Sequence, residues 1–132
     1  MSAATQLAVE SGYKTFEVRP MSGSIGAYLY GVDLKDRANK AMWEEIYRAY
    51  LEFKVIAIRG QNLSPADQYE VGKFFGDPCF YPFAKGMEGF PEMTRMVKEP
   101  EERENFGSDW HTDTCYLQQP PLTRSEEQTS EL

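Results

Sequence analysis

The sequence predicts an α+β domain. Apolar residues repeat with helical spacing in one long stretch, a second stretch opens and closes with helix signals, and short β-rich runs flank both without regular alternation. With 132 residues the chain suits one domain of ordinary size. A composition 41% hydrophobic and 14% aromatic supplies a core and excludes a wholly disordered chain.

Residues 1–14 are small and polar apart from Leu7 and Val9, and read as a loose terminus. A strand follows at 15–18, stopped by Pro20, and a turn covers 21–23. Residues 25–32, aromatic and aliphatic with Gly26 and Gly31 near the ends, suit a second, irregular strand. From 38 to 53 the period changes: Met42, Ile46, Ala49 and Phe53 share one helical face, with Glu44, Glu45, Arg48 and Glu52 mostly opposite. Residues 55–59 form a short apolar strand closed by Gly60. Ser64-Pro65-Ala66-Asp67 then opens a helix, with Ser64 as N-cap, Pro65 at the first position and Asp67 in the first turn. Gly76 ends it, and Pro78 blocks its continuation.

Residues 77–92 carry prolines and glycines among aromatics and read as an ordered loop. Its Phe80-Tyr81-Pro82-Phe83 run could line a pocket or cover a sheet edge. A strand at 93–98, a charged loop at 99–105 and a strand at 110–117 complete the reading, with Pro120-Pro121 as the stop. The final nine residues, RSEEQTSEL, are acidic and lack an apolar period. Apart from Gln128 they resemble the conceptual translation of a sequencing-library adapter, so 123–132 is expected to be a non-native read-through tail.

Charge and cysteine content exclude several function classes. Fourteen basic against 21 acidic residues give −7, which repels phosphate backbones and argues against nucleic-acid binding. No apolar run approaches the ~20 residues of a membrane span, and residues 1–15 lack a signal pattern. A cytoplasmic protein without a membrane partner is expected. Cys79 and Cys115 are too few for a disulfide scaffold, and without a C-x-x-C pair they argue for buried free thiols over a zinc site. Trp110 is expected in the core.

The sequence contains one histidine, within Gly107-Ser108-Asp109-Trp110-His111-Thr112-Asp113-Thr114. On a strand, positions i and i+2 share a face, so His111 and Asp113 would present an imidazole and a carboxylate about 7 Å apart along the backbone. Those groups suit adjacent positions on a metal, and a facial triad of two His and one carboxylate leaves Fe(II) open positions. The alternative is an exposed polar strand face.

An ordered set of segments gives the pattern its context. Gly26 to Leu34 (GAYLYGVDL), VIAIRGQ at 55–61, Ser64-Pro65, Phe74-Phe75-Gly76, and Trp110-His111-Thr112-Asp113 followed by Tyr116 and Pro120-Pro121 run in a recognisable order. Over residues 16–122 the chain resembles the amino-terminal part of the taurine/2,4-D (TauD/TfdA) family of Fe(II)- and 2-oxoglutarate-dependent dioxygenases. The resemblance implies part of a double-stranded β-helix, or jelly roll, occupying 15–122. His111 and Asp113 would be the first two Fe2+ ligands, and 2-oxoglutarate the co-substrate. In the family the distal His, the Arg and the Thr that serve the metal and the keto-acid lie beyond the position of Leu122. The chain would therefore cover less than half a family member and be inactive alone.

The resemblance also implies a small-molecule substrate contacted at Tyr81, Gly107 and Tyr116. The family's sulfonate enzyme has a His at the position matching Tyr81 and an Asn at that matching Gly107, so taurine is disfavoured. Tyr116 matches an aromatic that lies against substrate, which requires a bulge after Asp113. A homo-oligomer is left open for the full-length protein. The competing expectation is a non-catalytic binding or structural domain, favoured by the single His.

Overall fold

Side-chain alternation builds the first sheet. In the computed structural model, which describes residues 12–97, 99–103, 110–112 and 114–127, β1 (Glu17–Pro20) buries Val18 and β2 (Ala27–Tyr30) buries Ala27 and Leu29, while Arg19 and Tyr30 stay outside. The two strands pair antiparallel, Glu17 opposite Tyr30 and Pro20 opposite Ala27. Pro20 is thus the last residue of β1 rather than the stop before it. It is tolerated there because, among the described residues, β1 lies at the sheet edge with no second neighbour needing its missing N–H.

Helix α1 (Lys40–Phe53) returns the chain to the sheet. Asn39 caps it by accepting the Met42 amide at 3.1 Å. Its apolar stripe buries Met42, Ile46 and Ala49 as the spacing predicts, together with Trp43, whose indole donates to the Asp36 carbonyl at 3.0 Å. β3 (Ile56–Ile58) then pairs parallel with β2, Ala27 opposite Ile56 and Leu29 opposite Ile58. The sheet order is β1-β2-β3, and β2-α1-β3 is one βαβ crossover inside an otherwise irregular α+β arrangement.

The junction between α1 and β3 is tight. Lys54 has φ 66° and ψ −36°, and the Val55 amide donates to the Phe53 carbonyl at 2.7 Å across it. That is a γ-turn with a non-glycine residue in its strained form. The same turn is sewn to the start of β2: the Gly26 amide donates to the Phe53 carbonyl at 2.9 Å, and the Ala27 amide to that of Val55 at 3.0 Å. The Lys54 ammonium donates back to the Leu51 carbonyl.

The chain divides into two compact units between Asn62 and Leu63. In the second, α2 (Pro65–Phe75) starts with a reciprocal capping box: the Ser64 hydroxyl accepts the Asp67 amide, and Asp67 accepts the Ser64 amide. Gly76 ends it as expected. A hairpin of β4 (Gly86–Met87) and β5 (Phe90–Thr94) follows, so 77–92 is not wholly loop and the strand expected at 93–98 begins three residues earlier. Gly89 turns it at φ 80°, and a Cβ on Gly86 would meet the Pro91 carbonyl oxygen at 2.2 Å. The Tyr69 and Phe90 rings, 5.4 Å apart, pack β5 on α2. Among the described residues of this unit, Val71 is the single buried apolar side chain.

Ile46 and Leu29 are almost fully buried, so Ile46→Ala or Leu29→Ala should each cost about 2–5 kcal/mol, read as a lowered urea midpoint. Lys54→Gly should instead raise stability by about 1 kcal/mol in the same measurement, by relieving the positive φ.

Candidate functional site

His111 lies in an irregular stretch, 110–112, and its side chain is exposed. Trp110 beside it is fully exposed, which corrects the expectation of a core tryptophan. Asp113 and Gly107 lie outside the described residues. The chain re-forms as a 3-10 turn, Thr114–Tyr116, closed by the Leu117 amide donating to the Thr114 carbonyl at 3.1 Å. The strand expected over 110–117 is therefore absent from the described residues of that stretch. A strand needs a neighbouring ladder; the described residues 114–117 instead close a local turn on one backbone hydrogen bond. The shared face for His111 and Asp113, inferred from strand alternation, loses that support.

Tyr116 ends the 3-10 turn, exposed. Tyr81 is half-buried in the loop after α2, its ring edge-on to Phe83 at 5.5 Å between centroids. Phe80 and Phe83 are well exposed. Cys79 and Cys115 are also exposed, contrary to the expectation of buried thiols. Cys79 lies in the Pro/Gly-rich loop, where its Sγ contacts the Phe80 carbonyl at 3.6 Å and no apolar layer covers it.

A different concavity lies in the first unit, at the carboxyl ends of the parallel strands β2 and β3. It is an open crevice of about 290 Å³ lined by Val32, Asp33, Lys35, Gly60, Gln61 and Asn62. Gln61 braces it: its amide nitrogen donates to the Val32 carbonyl at 2.9 Å, and its oxygen accepts the Leu34 amide at 3.1 Å. None of the residues expected to contact substrate lines this crevice. The brace was not foreseen, because a glutamine after a strand carries no local signal of which distant backbone it will reach.

The profile of the taurine catabolism dioxygenase TauD, TfdA family matches residues 17–124. The chain belongs to this family. An alpha-ketoglutarate-dependent sulfate ester dioxygenase of Pseudomonas putida is 31% identical over 106 residues, which is 80% of this chain and 34% of that protein. An alkylsulfatase of Acinetobacter baylyi is 26% identical over 114 residues, 86% of this chain and 35% of that one. The chain thus spans about a third of the length of these relatives. The crystal structure of a taurine dioxygenase from Burkholderia xenovorans superposes with a TM-score of 0.54 at 29% identity, covering 59% of this chain and 28% of that one.

A TauD/TfdA-type iron centre can be tested against the donors present. Among the described residues no three His, Cys, Asp or Glu side chains come together as a metal site. The sequence has a single imidazole, so a triad of two His and one carboxylate cannot be assembled from this chain. The donor set present does not fit the complete iron site. No described helix is long and apolar enough to cross a membrane.

Anaerobic titration of the 132-residue chain with Fe(II), followed by calorimetry, should accordingly show no saturable 1:1 uptake at micromolar metal. A sharp 1:1 transition would reveal donors beyond His111 and Asp113.

Proposed function

We propose that the chain is the amino-terminal part of an Fe(II)- and 2-oxoglutarate-dependent dioxygenase, and that His111 and Asp113 are two of the iron's ligands. The observation that carries this reading is the family match over 17–124, a span that includes His111-x-Asp113. In the whole protein, O2 is divided between two substrates: one atom enters succinate as 2-oxoglutarate loses CO2, and the other becomes the hydroxyl of a small organic substrate. The remaining imidazole and the groups holding 2-oxoglutarate come from outside this chain, within a completed jelly roll. The 132 residues alone are inactive. Residues 123–132 are a non-native tail, and the enzyme is cytoplasmic.

Tyr81, Gly107 and Tyr116 contact the substrate in this reading. Taurine is disfavoured, because Tyr81 and Gly107 stand where the sulfonate enzyme of the family has a His and an Asn. The names of the two relatives support alkyl sulfate esters as the first class to assay. A second reading, a non-catalytic binding or structural domain, draws on the incomplete donor set.

The test uses the full-length gene product. His111→Ala and Asp113→Ala should each reduce 2-oxoglutarate-dependent O2 uptake at least a hundredfold while far-UV circular dichroism stays unchanged. Full turnover in either variant would overturn the ligand assignment. A wild-type protein without turnover would favour the second reading.

A further inference from the structure

The chain entering β1 is held on α1 by a cluster that the dioxygenase reading does not use. Three side chains on one side of α1, Glu45, Arg48 and Glu52, spaced i, i+3 and i+7, reach residues 12–15. The Glu45 carboxylate accepts the Lys14 amide at 3.0 Å, the Thr15 amide at 2.9 Å and the Thr15 hydroxyl at 2.6 Å. Arg48 donates to the Gly12 carbonyl at 2.9 Å and lies 4.1 Å over the Tyr13 ring. The Tyr13 hydroxyl donates to Glu52 at 2.8 Å. The Tyr13 ring packs 5.6 Å from that of Phe16, which is buried at the entry to β1.

An exposed ion pair would carry little weight here. Glu45 is different in kind. Its side chain is 14% exposed, and it takes two consecutive backbone amides and a hydroxyl rather than a mobile ammonium. The ladder with β2 begins only at Glu17, so the Lys14 and Thr15 amides lie ahead of it. Glu45 supplies the acceptor that a paired strand would otherwise supply.

We propose that Glu45 is a carboxylate latch that docks residues 12–16 onto α1 and releases them as one piece when its charge is removed. Burial opposes that charge, but the hydrogen bonds from Thr15 and Lys14, with Arg48 3.8 Å away, outweigh it and hold the carboxyl below its ordinary pKa. A lowered folded-state pKa stabilises above the ordinary carboxylate range, and that stability is lost as pH falls through the folded-state value. The other titratable groups of the cluster are Arg48 and Glu52 on α1, with Tyr13 and Lys14 on the strap. Burial, then the Glu52 hydrogen bond, push the Tyr13 phenol up to about 12, so it stays a donor throughout.

Hydrogen exchange read by mass spectrometry on the full chain tests the latch. In Glu45→Gln, exchange over 12–16 should rise on the order of tenfold or more, while 27–30 and 42–49 keep their protection. Thr15→Val keeps both amides and loses one donor, so it should give a smaller rise in the same segment. In the unsubstituted chain, acidification should strip protection from 12–16 before the core, and Glu45→Gln should abolish that early step. Unchanged exchange over 12–16 in both variants would overturn the proposal. So would a loss spread equally over 12–16, 27–30 and 42–49, which would make Glu45 a general support of the core.

Discussion

Parallel pairing of β2 with β3 is the constraint on which the rest of the first unit depends. Parallel neighbours cannot be joined by a hairpin, so the chain must cross over, and α1 is that crossover. The crossover determines what α1 must bury: the side that carries Met42, Ile46 and Ala49 shares the core with Val18, Ala27 and Leu29 of the sheet. It also explains the strained turn at Lys54. The chain leaves the helix and enters β3 within two residues, and the Phe53 and Val55 carbonyls accept the Gly26 and Ala27 amides at the start of β2. Strain at one residue is offset by two backbone hydrogen bonds that set the parallel register.

The second unit is held differently. Among its described residues are a capping box, the Tyr69–Phe90 contact between α2 and β5, and a hairpin so close that Gly86 can carry no side chain. Large apolar groups stay outside, among them Phe80, Phe83, Trp110 and Tyr116. His111 sits within this thinly packed unit, on a stretch without a ladder.

Much of the fold was legible in the residues. The stripe of Met42, Ile46 and Ala49 marks α1, and Ser64-Pro65-Ala66-Asp67 marks the start of α2, because both are local signals complete within four to eight positions. The hairpin at 86–94 was not legible. Its strands are short, and its determining fact is a backbone approach at Gly86 that no propensity encodes. The buried-thiol and core-tryptophan expectations failed for a related reason. Residue type sets a preference for burial, but Cys79, Cys115 and Trp110 lie where few buried apolar side chains surround them.

By itself the sequence determined the family, because the ordered segments from Gly26 to Pro121 are matched as a set over 17–124. It also determined that a two-histidine iron centre cannot be completed from these residues, since counting imidazoles requires no coordinates. Only the tertiary structure decided which backbone groups the polar side chains would satisfy. Glu45 reaches amides 30 and 31 positions away, and Gln61 bridges groups 27 and 29 positions away. Such contacts follow from where the crossover returns the chain. A carboxylate on a helix surface reads as solvated until the segment that lies against it is known.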